Sequence, residues 1–150
     1  MAETTVQDCE IAGERSLRAI SEALPPTLRQ RIVELSNLKA NWDGEGATQI
    51  KPHILSEVVE ALMRLAQHHP GSDTGSLIPT FDGYVQMEWH CEKRSLEIEA
   101  VSHGWATVGS TVDASGKHEY FVGECKRGDF PQLERFYHWY LGVELIWPSP

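Results

Sequence analysis

The spacing of apolar residues changes along this chain, and that change constrains the fold more than any other feature. From Pro26 to about His69, apolar side chains recur every three or four residues, which is typical of helices with one buried face. From Tyr84 to Glu124 they alternate with polar residues, which is typical of strands in a half-buried sheet. Helices and strands that are separated along the chain in this way predict an α+β domain.

Four helices are predicted, and prolines and glycines set their ends. The expected helices are Gly13–Ala23, a second that begins at Pro26 and ends near Lys39, a third from Pro52 to about His69, and a last one that begins near Asp129 and stops at Gly142. Pro25-Pro26 separates the first two, because a residue before proline avoids the α conformation. Asp129 can cap the free amides of the last helix.

The predicted sheet is an antiparallel meander of four or five strands. Its strands are Tyr84–Cys91, Ser95–Val101, Trp105–Val112 and Lys117–Glu124, with a short fifth strand over Val143–Trp147. Links this short join antiparallel neighbours. We expect two or three N-terminal helices and the C-terminal helix to cover one face of this sheet. Residues 1–12 are expected to be a flexible leader, and residues 13–150 a single domain.

The charge balance narrows the classes of partner. The 150 residues include 22 acidic and 13 basic side chains, which gives a net charge of −9. Nucleic acids and anionic membranes are bound mainly through Lys and Arg, so neither is expected as a direct partner. Three cysteines at irregular spacing indicate a reducing, cytoplasmic compartment, and no apolar run reaches the roughly 18 residues of a membrane span.

Two short motifs stand out, and both have a structural interpretation. In residues 41–47, Asn41 and Asp43 can cap local amides, Gly44 and Gly46 can adopt backbone angles closed to other residues, and Trp42 can fill the seam between helix and sheet. The second motif has Asp82-Gly83 as a turn, followed by a strand that contains Trp89. Asp43 and Glu45 could instead hold a cation such as calcium, but the fuller oxygen-ligand series of a calcium loop is missing.

These motifs resemble a family of uncharacterised small bacterial proteins found in mobile or defence-type loci. The first matching set is Leu38, Asn41, Trp42, Asp43, Gly44, Gly46, Ala47 and Pro52; the second is Pro79, Asp82, Gly83, Val85, Met87, Glu88 and Trp89, followed by Leu96, Glu97 and Ile98. The resemblance covers roughly residues 28–101, and Tyr84 replaces a second glycine of the family pattern. The resemblance implies an accessory role in such loci, and the family offers no known activity to carry over to this chain.

One face of the predicted sheet is polar and acidic. If the apolar residues of the strands face the helices, the opposite face carries Gln86, Glu88, His90, Glu97 and Glu99. An antiparallel sheet commonly exposes one face to water, so this face needs no special function. It would also suit a basic partner protein, whose approach and selection the carboxylates would favour.

Catalytic and metal motifs are scarce. The chain has no GxxxxGK[ST], GxGxxG, HExxH, CxxC or GxSxG sequence. His90, Cys91, His103, His118 and Cys125 fall in or beside the sheet, but their spacing matches no zinc finger or ribbon. His90 and His118 are kept as weak metal candidates. Cys125 beside Lys126-Arg127 could have a lowered thiol pKa, although an ordinary strand-end cysteine accounts for it better.

The sequence therefore predicts a non-enzymatic protein-interaction module without a cofactor, either antitoxin-like or an accessory subunit of a bacterial defence or mobile-element system. Trp139 and Trp147 are expected to help anchor the partner, because aromatic residues are favoured at interfaces. Two alternatives stay open. One is a small metal-dependent hydrolase that uses Glu88, His90, Glu97 and His118, and the other is an acidic mimic of nucleic acid. A homo-oligomer also stays open.

Overall fold

The computed structural model describes residues 24–149, so the expected leader and the expected helix Gly13–Ala23 lie outside the described residues. The described part is an α+β domain of three helices and five strands. In chain order these are α1 (Pro26–Ser36), α2 (Pro52–His68), β1 (Ser76–Pro79), β2 (Val85–His90), β3 (Arg94–Val101), β4 (Gly104–Val112), β5 (His118–Lys126) and α3 (Phe130–Leu141).

The helices begin and end where their terminal residues dictate. Proline occupies the first turn of all three, where the missing amide hydrogen is not needed. Asp129 accepts a hydrogen bond from the Gln132 amide, as the sequence predicts for α3. Gly142 ends α3 in the left-handed conformation, with φ of 79°. Helix α1 ends at Ser36, earlier than predicted, and the chain leaves it through Asn37, whose amide donates to the carbonyls of Val33 and Glu34.

The five strands form one antiparallel meander in the order β1-β2-β3-β4-β5. Four of them match the prediction closely. The prediction of a fifth strand over Val143–Trp147 was wrong, because the fifth strand is β1, which pairs with β2 so that Leu77 lies opposite Met87. Residues 143–147 instead form a segment without regular structure, in which the Trp147 indole Nε1 donates to the Val122 carbonyl at 3.0 Å.

Burial alternates along β2, β3 and residues 105–109 of β4, as the sequence predicts for strands, whereas on β5 Cys125 alone is buried. We call the surface that the buried strand residues form the inner face; it comprises Leu77, Val85, Met87, Trp89, Leu96, Ile98, Ala100, Trp105, Thr107 and Cys125. The side chains between them are half-buried or exposed and form the outer face. The two-residue period of a pleated strand produces this division.

One hydrophobic core combines the buried side chains of the strands with buried apolar side chains of the helices. Helix α1 contacts β1, α2 contacts β2, and α3 contacts β3 and β4. Helix α2 contributes the largest group of buried side chains, and α3 adds Leu133, Phe136, Tyr137, Trp139 and Tyr140. Burial of this much aliphatic and aromatic surface is the main stabilising contribution to a domain of this size.

Candidate functional site

The loop at residues 41–47 is held by its own polar side chains. The Asn41 side-chain oxygen accepts from the Gly46 amide at 2.7 Å, and the Asp43 Oδ1 accepts from the amides of Glu45 and Ala47 at 2.9 and 3.0 Å. These backbone hydrogen bonds lower the pKa of Asp43, since they stabilise the charged carboxylate. Gly44 and Gly46 have positive φ, as predicted. The Asp43 carboxylate thus serves the loop itself, which favours the structural interpretation over a calcium site.

The segment that directly follows the 41–47 loop contacts the Asp82-Gly83 turn. The Thr48 amide donates to the Phe81 carbonyl at 2.8 Å, and the Lys51 amide donates to the Gly83 carbonyl at 3.1 Å. Gly83 has φ of 88°, and a Cβ there would lie 2.7 Å from the Gln49 carbonyl oxygen. The 41–47 loop and the Asp82-Gly83 turn are therefore adjacent parts of one structural unit. Trp42 is half-buried, and its indole donates to the Thr48 carbonyl at 3.2 Å, whereas Trp89 is fully buried.

The outer face places its carboxylates next to one another. Glu88 lies opposite Glu97 in the register of β2 and β3, and Gln86 lies opposite Glu99. The Glu88 carboxylate is held on both oxygens, because Gln86 donates to Oε1 at 2.6 Å and the His90 Nε2 lies 3.1 Å from Oε2. Partial burial, with a smaller contribution from the charge of Asp82, raises the pKa of Glu99. All five predicted side chains thus lie together on β2 and β3.

The outer face also has an apolar half that the sequence reasoning missed. The register continues from Glu97 to Val108 on β4 and from Val108 to Val122 on β5. Val122 is 78% exposed and the neighbouring Tyr120 is 70% exposed. The alternation in Lys117–Glu124 contained the signal, since Tyr120 and Val122 share the parity of the outward residues. We refer below to the acidic half (Gln86, Glu88, Glu97, Glu99) and the apolar half (Val108, Tyr120, Val122) of the outer face.

The two tryptophans expected at an interface belong mainly to the core. Trp139 is only 2% exposed and packs beneath Gly109, so the prediction that it contacts a partner was wrong. Trp147 is half-buried, stacks on Phe121 and lies tilted against Phe136. Segment 143–149 folds back onto β5 and helps to bury Trp139, whereas for the half-buried Trp147 a contact with a partner stays a prediction.

The cysteines and histidines of the sheet do not form a reactive centre. His118 lies on β5, three strands from His90 on β2, or roughly 14 Å at the usual strand spacing. Burial and then the charge of Asp129 raise the pKa of the Cys125 thiol to about 12, so the basic neighbours do not activate it. Cys91 is exposed. The hydrolase alternative required His118 to converge with Glu88, His90 and Glu97, and His118 lies apart from these three.

A different group of titratable side chains does converge, between the end of α2 and the middle and last turns of α3. His69, Glu134 and His138 bring their potential ligand atoms within 4.8 Å of one another. His68 adds a contact of 2.6 Å from Nδ1 to the Glu134 Oε2. The sequence reasoning considered the histidines of the sheet and passed over these, although Glu134 and His138 are one helical turn apart.

A groove between α2, β4 and the start of α3 is lined by paired charges. Arg127 lies 2.9 Å from Glu57, and Arg64 lies 3.2 Å from Glu60. The volume of the groove is about 280 Å³, and Trp105, Phe130 and Leu133 form its apolar wall. Because each of these two arginines is already paired with a carboxylate, the groove offers no uncompensated charge to a ligand.

Comparison with known proteins returned no match to a protein-family model, to a curated protein or to a solved structure. Across residues 24–149, none of the helices combines the length and apolar character that crossing a membrane requires.

Proposed function

We propose that this protein is a non-enzymatic interaction module that binds a partner protein through the outer face of its sheet. The observation that carries this proposal is the row Glu88, Glu97, Val108 and Val122, which are directly paired across four strands. An acidic half beside an exposed apolar half has the composition of a recognition surface, in which apolar contacts supply affinity and charges supply selectivity. We further propose that all three helices cover the inner face and leave this surface open.

The expected partner is a protein with basic side chains beside an apolar patch. Glu88, Glu97 and Glu99 favour a positively charged surface and disfavour the phosphates of nucleic acid. Like charges placed directly opposite on neighbouring strands lower the stability of a sheet. Glu88 and Glu97 are such a pair, and a cost of this kind is easier to understand if the charges serve a partner.

The biological setting that we propose follows from the resemblance of the two motifs to proteins of mobile or defence-type loci. An antitoxin-like or accessory subunit in the cytoplasm agrees with a surface built for recognition. A DNA-binding partner displaced by added salt would make the protein a nucleic-acid mimic, which is a special case of the same surface.

Co-purification from the native host tests the proposal with matched variants. Glu97→Lys reverses a charge in the acidic half, and Val122→Asp places a charge in the apolar half. Glu45→Lys is the control, because it makes the same glutamate-to-lysine change on the exposed 41–47 loop, away from the sheet. We expect a partner that both outer-face variants lose and that Glu45→Lys retains, with the same pattern when the two purified proteins are mixed. Recovery of the chain alone, or equal recovery of a partner by all variants, would refute the proposal.

A further inference from the structure

The cluster of His68, His69, Glu134 and His138 joins two helices that are distant in sequence. His68 and His69 lie at the end of α2, where the His69 amide still donates to the Leu65 carbonyl. Glu134 and His138 lie on one side of α3, four residues apart. The side chains of His69 and Glu134 are 18% and 17% exposed, so the cluster is largely shielded and still reachable from water.

Two polar atoms of this cluster closely approach the same nitrogen, the Nε2 of His69. The His69 Nε2 lies 3.2 Å from the Glu134 Oε2 and 3.1 Å from the His138 Nε2. An imidazole nitrogen carries either one hydrogen or one lone pair. If the His69 Nε2 carries a hydrogen, that single hydrogen has to be shared between the Glu134 Oε2 and the His138 Nε2. If it carries a lone pair, the lone pair faces the negatively charged carboxylate, which is unfavourable. Hydrogen bonds alone therefore do not account well for the close approach of these three side chains.

We propose that His69, Glu134 and His138 bind a divalent transition-metal ion, with Zn²⁺ as the preferred ion. A cation placed among the three atoms would accept a lone pair from each of them. In a tetrahedral site with Zn–N bonds of about 2.0–2.1 Å, neighbouring ligand atoms lie about 3.3–3.4 Å apart. The two separations at His69 are close to this value, and the Glu134 and His138 ligand atoms lie within 4.8 Å of each other. Two imidazoles and one carboxylate are ligands that Zn²⁺ commonly takes, and they leave a fourth position for water.

His68 has a positioning role at this site. Its Nδ1 contacts the same Glu134 oxygen at 2.6 Å and orients the carboxylate toward the ion, as hydrogen-bond partners of metal ligands usually do. The Phe130 ring stands edge-on to His68, and the Tyr137 ring stands edge-on to His69. These aromatic contacts hold the imidazoles in place, and the bound ion would fasten the end of α2 to α3.

Calorimetric titration of Zn²⁺ into metal-free, tag-free protein tests the site. We expect one ion per chain, and a higher melting temperature in its presence. His138→Gln removes a ligand and should weaken binding by about 100-fold or more, and His68→Gln, which loses an orienting contact, by about 10-fold. His90→Gln, on the outer face, is the matched control and should bind as the wild type does.

Cobalt provides an independent readout of the ligand set. Co²⁺ in the same site should give the intense visible absorption of a four-coordinate ion, which His138→Gln should abolish while its circular dichroism in the metal-free form stays that of the wild type. The proposal is overturned if the wild type binds no Zn²⁺, or if His138→Gln binds the ion as tightly as His90→Gln. If His138→Gln does not fold, Glu134→Gln takes its place. This variant should likewise lose Zn²⁺ affinity and the visible absorption of Co²⁺, and binding as tight as that of His90→Gln would overturn the proposal.

Discussion

At the scale of single residues, the geometry of the turns depends on a few backbone positions rather than on large side chains. Asn41 adopts a positive φ of 63° and uses its side chain to hold the Gly46 amide. Asp113 accepts from the amides of Ser115 and Lys117 in the β4–β5 turn, in the same manner as Asp43 in its loop. The exposed carboxylates of these turns therefore serve local backbone structure.

Gly83, in the motif at residues 82–89, should tolerate a larger residue poorly. Gly83→Ala places a Cβ 2.7 Å from the Gln49 carbonyl oxygen and also forces alanine into a positive φ, so we expect a loss of about 2 kcal/mol or more in the free energy of unfolding. Gly116→Ala is the control, since its φ is 82° but its Cβ would meet nothing within 4 Å. Chemical denaturation should show a smaller loss in the free energy of unfolding for Gly116→Ala than for Gly83→Ala. Equal losses would contradict the close approach of Gly83 to the Gln49 carbonyl.

The two described cysteines should differ sharply in reactivity. Cys91 is exposed, whereas burial holds the pKa of Cys125 at about 12 and leaves almost no thiolate at neutral pH. Brief treatment of the folded protein with iodoacetamide, followed by peptide mass spectrometry, should find Cys91 alkylated and Cys125 intact. Both should react in denaturant. Equal modification in the folded protein would show that Cys125 is not buried in the core.

At the scale of secondary-structure elements, strand register decides which charges become neighbours. The β2–β3 register places Glu88 opposite Glu97, while β3–β4 and β4–β5 place Val108 beside Glu97 and Val122. A shift of one residue would move all of these side chains to the inner face. The outer face is thus a property of the register of four strands and not of any single strand.

Removal of one charge from the opposed pair should stabilise the sheet. Glu97→Gln keeps the size of the side chain and relieves the repulsion with Glu88, so we expect a gain of about 0.5 kcal/mol in the free energy of unfolding at neutral pH. Glu45→Gln, which changes the same charge away from the sheet, should have a smaller effect. A clear loss of stability in Glu97→Gln, measured by chemical denaturation, would show that the repulsion is not present.

The contact between α2 and α3 should depend on pH through Glu134. Burial opposes ionisation of this carboxyl group, but its hydrogen bonds to His68 and His69 and the nearby charges outweigh burial and lower its pKa. The stabilising contribution is therefore fully present above the pKa of an unfolded glutamate and is lost as the pH falls through the lower pKa of the folded state.

Glu134→Gln removes this dependence. In metal-free protein, the difference in the free energy of unfolding between wild type and Glu134→Gln should favour the wild type near neutral pH and shrink as the solution is acidified. Urea denaturation at a series of pH values measures it. A difference that stays constant across the series would contradict an ionised Glu134 held by the histidines.

At the scale of the whole molecule, local patterns predicted most elements and tertiary contacts decided the rest. Alternation identified four strands and most of their buried side chains, because successive residues of a strand point to opposite faces of the sheet. Strand β1 escaped prediction because Ser76–Pro79 is short, contains proline and follows a loop-like stretch. Val143–Trp147 has the composition of a strand, yet its tryptophan packs by side chain and its backbone stays unpaired with the sheet.

The sites differ in the same way. The acidic half of the outer face follows from the two-residue alternation in β2 and β3. The sequence was therefore enough to place five side chains together, namely Gln86, Glu88, His90, Glu97 and Glu99. The apolar half required the register of β4 with β5. The cluster of His69 and Glu134 joins residues 65 positions apart in the chain, which no local period can indicate.

Binding to a purified partner, compared between Glu97→Lys and Glu45→Lys, tests most directly whether the outer face is a recognition surface. The two variants carry the same change in charge, and only one of them alters that face. We predict that Glu97→Lys raises the dissociation constant by about 10-fold or more, an effect that shrinks as salt is added, while Glu45→Lys matches the wild type. Equal dissociation constants for the two variants would contradict a recognition role for the acidic half of the sheet.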